Sequence, residues 1–153
     1  MGISAIFTET AENEKEHAKV FFKYLTGGAA EITATFPAGV IGDTLDNLKA
    51  AAAGEKEEWS VLYPDAAKAA KEEGFPEIAA SFEQIAQVES RHEARYLRLA
   101  QRVEAGEVFK RSESIAWKCL NCGRVVEGKE APELCPACKH PQAYFEPWTD
   151  ANY

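Results

Sequence analysis

The sequence contains no apolar run near the roughly 20 residues that a helix needs to cross a bilayer, which argues against a membrane-spanning chain. Its start, Met1-Gly2-Ile3-Ser4, lacks a basic stretch followed by an apolar core, so no secretory signal is expected. Basic residues are few. Seventeen Lys and Arg stand against 25 Asp and Glu, a formal net charge of −8. Nucleic acid and anionic membrane surfaces are therefore excluded as partners, because phosphate binding needs clustered cations. Low-complexity segments and internal repeats are absent. Cysteine is absent outside Cys119 to Cys138, and there are three histidines in all. A chain without a signal is expected in the cytoplasm, where thiols stay reduced and paired cysteines are more readily metal ligands than disulfides.

Composition divides the chain near residue 110. Residues 1–106 are rich in Ala, Glu, Lys and Leu, which favour helix. A linker is expected over 107–115. Residues 116–153 hold the cysteines and many prolines, and they read as short strands and turns. The fold class is mainly α, a helical bundle followed by a small β/turn metal domain. The first helix is expected to begin at or before residue 2 and to stop at Gly27-Gly28. The connection from Ala29 to Gly42 is too long for a tight turn and suits a crossover in a bundle. Asp43 is the expected N-cap of the second helix, which runs toward Gly74 with a kink at Pro64. The third helix starts around Pro76 and ends at Gly106.

Each helix carries one core seam of alternating four- and three-residue spacing. In the first it is Ile3, Phe7, Thr10, Glu14, His17, Phe21 and Tyr24. In the second it is Leu45, Leu48, Ala52, Glu55, Trp59 and Leu62, with Glu58 beside Glu55. In the third it is Ile78, Phe82, Ile85, Glu89, His92, Tyr96, Leu99 and Val103. Four glutamates in one core cost several kcal/mol each unless compensated, and Lys15, Lys56 and Arg91 lie off the seams. Two divalent cations would balance Glu14, Glu55, Glu58 and Glu89, with His17 and His92 as neutral ligands. Glu-x-x-His places both ligands on one helical face, and it occurs twice, as Glu14-Lys15-Glu16-His17 and Glu89-Ser90-Arg91-His92. Carboxylate and imidazole ligands suit iron or manganese. Ferritin-like di-iron bundles combine two such motifs with a Glu from each of two further helices. This sequence supplies three of those four helices.

Cys119-Leu-Asn-Cys122 and Cys135-Pro-Ala-Cys138 form two knuckles, the pattern of a tetrahedral four-cysteine site for one iron or zinc. Gly123 permits backbone N–H groups to point at sulfur. Trp117, Tyr144, Phe145 and Trp148 form a candidate aromatic core. His140 reads as a turn residue, since four sulfurs already complete the tetrahedron.

Together, Glu14-x-x-His17, Glu55-x-x-Glu58, Glu89-x-x-His92 and the terminal cysteine knuckles resemble the rubrerythrin family. Ala11-Glu-Asn-Glu-Lys-Glu-His-Ala18, Phe36-Pro-Ala-Gly39 and Ala131-Pro-Glu-Leu-Cys-Pro-Ala-Cys138 strengthen the resemblance, which covers almost the whole chain. It implies a ferritin-like bundle with a non-haem di-iron centre and a rubredoxin-like domain holding a single iron, with zinc as the alternative there. The implied activity is reduction of hydrogen peroxide. An upstream electron donor feeds the cysteine iron, which passes single electrons to the di-iron pair, usually across a homodimer or higher oligomer. Glu14 and Glu89 would bridge the irons, with His17, His92 and Glu55 terminal. Glu58 would exchange with His17 on redox change, and Tyr63 would hydrogen-bond nearby. The catalytic set implied is Glu14, Glu58, Glu89 and Tyr63. Rubrerythrins begin with a further helix that donates a glutamate, and Met1-Gly2-Ile3 is expected to lie inside what would be the second helix of that pattern. Two other readings remain, an electron-transfer protein working only through the cysteine iron, and a zinc ribbon on a helical scaffold.

Overall fold

The computed structural model describes residues 2–148, so the expected domain ends at Met1 and over 149–153 lie outside the described residues. These residues form two compact units, the described parts of Ala11–Ala100 and of Gln101–Tyr153 with Met1–Thr10. Three long helical segments are followed by a small sheet, as the composition required.

Helix α1 spans Gly2–Phe22. It ends short of Gly27-Gly28. After Phe22 the backbone loosens into single turns, Tyr24 N–H to Phe21 O and Leu25 N–H to Phe22 O. The two glycines then take positive φ of 96° and 87°, open to solvent, and extend the turn rather than cap the helix. Residues 29–43 carry no regular structure, and Ile32, Phe36, Val40 and Ile41 are exposed there. Helix α2 spans Thr44–Glu57, and Asp43 caps it, its side chain accepting from the Asp46 N–H at 2.9 Å.

The second helical stretch departs from expectation at its middle. Glu58–Leu62 is a π turn, after which α3 covers Tyr63–Glu72. The break in regularity therefore lies before Pro64, not at it. Pro64 sits in the first turn of α3, where its missing N–H costs little. The wider turn changes which residues face inward. Leu62, assigned to the core seam, is 49% exposed, and half-buried Tyr63 takes the inward place instead. Its ring lies 6.0 Å from that of Phe21 and 5.9 Å from that of Phe82, which stack on each other at 4.3 Å.

Helix α4 spans Pro76–Glu104. Its seam is as expected: Ile85, Glu89, His92 and Tyr96 are buried, and Ile78, Phe82, Leu99 and Val103 are half-buried.

In the second unit β1 spans Lys110–Cys119, β2 Val125–Glu130 and β3 Phe145–Trp148, in the antiparallel order β2-β1-β3. Strand β1 starts inside the 107–115 segment read as linker, because Lys110 pairs with Glu130. Trp117, Cys119, Ala131, Cys135 and Phe145 form the core, flanked by Phe109 and Tyr144. The Trp117 indole N–H donates to the Gly128 carbonyl at 3.0 Å. No helix among the described residues is long and apolar enough to cross a membrane.

Candidate metal centres

The helical centre is built by side chains one turn apart on α1, α2 and α4. Nδ1 of His17 lies 3.1 Å from Glu14 Oε2 and 2.9 Å from Glu89 Oε1. Nδ1 of His92 lies 3.3 Å from Glu14 Oε1 and 2.9 Å from Glu89 Oε2. It is also 3.4 Å from Glu55 Oε2. Each of Glu14 and Glu89 thus offers one oxygen to each imidazole. The two imidazoles face each other across the carboxylates with ring centroids 6.2 Å apart.

These atoms fit a pair of cations. Ligands about 2.1 Å from an octahedral ion stand about 3 Å apart, close to the separations here. Glu14 Oε1, Glu55 Oε2 and both Glu89 oxygens are buried with no aligned hydrogen-bond donor among the described residues. Native cores seldom leave such groups unmatched, and a cation pair would satisfy all of them. Donor atoms of Glu14, Glu55, Glu89 and His92 lie within 4.8 Å of one another. Glu58 stands beside this cluster, half-buried, with Glu14 and His17 as neighbours.

Without metal the cluster resists ionisation. Burial, then the charges of Glu14 and Glu58, pushes the Glu55 carboxyl up to about 8. Burial, then Glu14 and Glu55, pushes Glu89 up to about 9. Both carboxyls hold their proton more tightly folded than unfolded, where 4.5 is the ordinary value. Their contribution to stability is therefore fully present below that value and is lost as pH rises through about 8 and 9. Thermal melts of the metal-free protein should give a midpoint that falls from pH 5 to pH 9, and loading with Fe(II) should flatten the fall. A metal-free midpoint that climbs over this range would refute the burial of these groups.

The cysteine centre has internal two-fold character. Cys119 N–H donates to Arg124 O and Gly123 N–H to Cys119 O, each at 2.8 Å. Cys135 N–H donates to His140 O at 2.8 Å, and Lys139 N–H to Cys135 O at 2.9 Å. All four cysteines are free thiols. Sγ of Cys119 and Cys138 are 3.7 Å apart, as are those of Cys122 and Cys135. Four thiolates about 2.3 Å from one ion stand about 3.8 Å apart along the edges of a tetrahedron, so the pocket has the size of a metal site. The His140 N–H bonded to Cys138 draws that thiol down to about 6. The Cys138 N–H does the same for Cys135, and the Arg124 N–H is directed at Cys122. His140 turns its ring to Tyr144 and its Nδ1 to the Cys138 carbonyl at 3.3 Å, a turn role.

The residue after the second cysteine differs between the two knuckles. Gly123 has φ of 77°, and Lys139 occupies the matching place with φ of 63°. A side chain in this region costs about 1 kcal/mol. Lys139→Gly should stabilise the metal-loaded unit by roughly 0.5–1 kcal/mol, and Gly123→Ala should destabilise it by a similar amount, both read from denaturant midpoints.

Comparison with known proteins agrees with this geometry. The family described as Rubrerythrin matches residues 1–100, and the family described as Rubrerythrin, rubredoxin-like domain matches residues 117–146. The chain belongs to the rubrerythrin family. It is 66% identical to a rubrerythrin of Porphyromonas gingivalis over 95% of this chain and 72% of that protein. It is 55% identical to a rubrerythrin of Nitratidesulfovibrio vulgaris over 94% of this chain and 75% of that one. A solved structure described as the partially reduced state of nigerythrin matches with a TM-score of 0.58 at 28% identity, covering 95% of this chain and 70% of that one. Two metal centres on a ferritin-like bundle and a rubredoxin-like sheet are thus the shared architecture. Within the rubrerythrin frame, three features escaped the sequence reading. They are the π turn, the Trp59–Glu93 hydrogen bond, and Arg95, whose charge acts on Glu55. The five-residue step from Glu58 to Tyr63, followed by Pro64, was the available signal for the first.

Proposed function

We propose that this chain is a peroxide reductase of rubrerythrin type. The observation that carries the reading is the double span of Glu14 and Glu89 between His17 and His92. A carboxylate needed only for packing has no reason to offer one oxygen to each of two imidazoles. Glu14, Glu89, His17 and His92, with Glu55 and Glu58, would hold a cation pair. When bound, an iron pair there would supply the reducing electrons for cleavage of the peroxide O–O bond, and an iron at the cysteines would be a one-electron donor. The overall balance is H2O2 + 2 H⁺ + 2 e⁻ giving two waters.

The protein's own part is placement and proton supply. Burial, then the charge of Glu58, raises the Tyr63 phenol above the usual tyrosine range. Its Oη therefore keeps its proton at neutral pH and serves as a donor to a bound oxygen. The Phe21–Phe82 stack packs beside it. The proposed division is a helical domain over 1–106 and a cysteine domain whose first strand begins at Lys110. A cytoplasmic homodimer fed by an upstream donor is part of the same proposal. Exposed Ile32, Phe36, Val61 and Leu62 support association.

The test is anaerobic. Iron-loaded, reduced protein mixed with hydrogen peroxide should oxidise, with two electrons consumed per peroxide and the visible bands of the cysteine iron appearing. Iron confined to the cysteines, with no peroxide-driven oxidation, would overturn the reading.

A further inference from the structure

The π turn does something that a regular helix cannot. In an α-helix, residues five apart are about 140° apart around the axis, so Glu58 and Tyr63 would face different ways. In the π turn the Tyr63 N–H bonds to the Glu58 carbonyl, and the wider turn brings residues five apart closer to one face. The carboxyl of Glu58 then neighbours both Glu14 and the Tyr63 phenol, and Leu62 is turned out. Such a turn is a costly local choice, so something must hold it in register. Ser60 serves one carbonyl at the change of register, its hydroxyl donating to Lys56 O at 2.6 Å. The other restraint comes from outside the helix. The Trp59 indole N–H donates to Glu93 Oε2 on α4 at 2.7 Å. Both side chains are half-buried, and Glu93 adjoins His92 in sequence. A charge-assisted bond of this length is among the stronger kinds.

We propose that Trp59 is a positioning residue for the helical metal centre: its indole N–H, held by Glu93, locks the π turn in the register that turns Glu58 and Tyr63 inward together. The metal-binding consequence rests on the peroxidase reading above, whereas the effect on the turn does not.

Three variants test it, each with its cysteine centre loaded. Trp59→Phe keeps an aromatic ring and removes the N–H. Glu93→Leu removes the acceptor without touching the turn. Glu93→Gln keeps an acceptor oxygen. Hydrogen exchange of the Tyr63 amide, with the helical site empty, reads the turn directly. It should quicken about 10-fold in Trp59→Phe and Glu93→Leu and stay at the wild-type rate in Glu93→Gln. Titration with Co²⁺, followed by its visible spectrum, reads the helical site. Affinity there should fall about 10-fold in the first two variants, with the cysteine centre unchanged. Wild-type exchange at Tyr63 in both variants would overturn the proposal. So would a uniform quickening along α2 and α4, which marks general destabilisation. If Trp59→Phe does not fold, the Glu93→Leu and Glu93→Gln pair decides alone. A wild-type protein that takes Co²⁺ only at the cysteines would overturn the peroxidase reading, and exchange at Tyr63 would still decide the role of Trp59.

Discussion

Glu89→Leu is expected to make the metal-free bundle more stable and the enzyme inactive. The two effects have one cause. Glu89 is fully buried, and both its oxygens lack an aligned donor. Leaving a buried polar group unmatched costs about 1–3 kcal/mol, more when it is charged. Leucine, close in volume, removes that cost, so the metal-free variant should gain about 1–3 kcal/mol at pH 8, read as a higher denaturant midpoint. The same substitution takes away one oxygen from each cation position, since Glu89 reaches towards both His17 and His92. Outer partners of metal ligands are already worth about 10–100-fold, so losing a bridging ligand should lower peroxide turnover by more than about 100-fold. Metal analysis should then show iron at the cysteines alone. Reduction and reoxidation of that iron by a chemical donor should continue. This variant also separates the peroxidase from the electron-transfer reading, in which Glu89→Ala or Glu89→Leu leaves every redox function intact. Unchanged peroxide turnover in Glu89→Leu would remove the helical centre from the mechanism.

Cys135→Ala is expected to unfold the sheet unit and leave the helices standing. This unit has a small core, and two of its fully buried members, Cys119 and Cys135, are themselves sulfur donors. Small cores of this kind contribute only a few kcal/mol, and metal commonly supplies the rest. Apparent binding energies of about 10–16 kcal/mol for structural zinc match or exceed the whole stability of an ordinary domain, about 5–15 kcal/mol. Removing one sulfur should therefore release the metal and expose Trp117, which is fully buried in the folded unit. Its fluorescence should shift to the red, and fast proteolysis should begin between residues 110 and 148. A strong chelator should reproduce the effect on the native sequence. The Glu89→Leu and Cys135→Ala variants should thus fail in opposite ways, one losing metal without losing structure, the other losing both. A metal-free Cys135→Ala protein with Trp117 still shielded would show that the aromatic core suffices alone.

Much of this organisation was legible before any coordinates. The helical seams needed only the 3.6-residue repeat, and all eight seam residues of α4 are at least half-buried. The ligands stood out because charge does not belong on an apolar stripe. Glu14, His17, Glu55, Glu89 and His92 were identified on that ground, and the structure gathers them. The four cysteines needed only their spacing. The end of α1 was harder, because Gly27-Gly28 stops a helix equally well whether it is still helical at Leu25 or already in turns. The strand from Lys110 was hidden by a polar composition that also suits a linker. Its pairing with Glu130 is a contact twenty residues away, which local pattern does not record.

The sequence by itself determined which residues are the candidate ligands and in what chemical class: carboxylates and imidazoles on helices, thiolates on knuckles. Those choices follow from local spacing and from the cost of burying charge, and both can be read along one chain. Only the tertiary structure decided how the second helical stretch turns at Glu58. A π turn and an α turn are both compatible with Glu-Trp-Ser-Val-Leu-Tyr-Pro, and local spacing does not choose between them. The Trp59 bond to Glu93 and the packing of Tyr63 on Phe21 and Phe82 join residues from α1, the π turn, α3 and α4. Those long-range contacts select the wider turn, and with it the inward face that Glu58 and Tyr63 share.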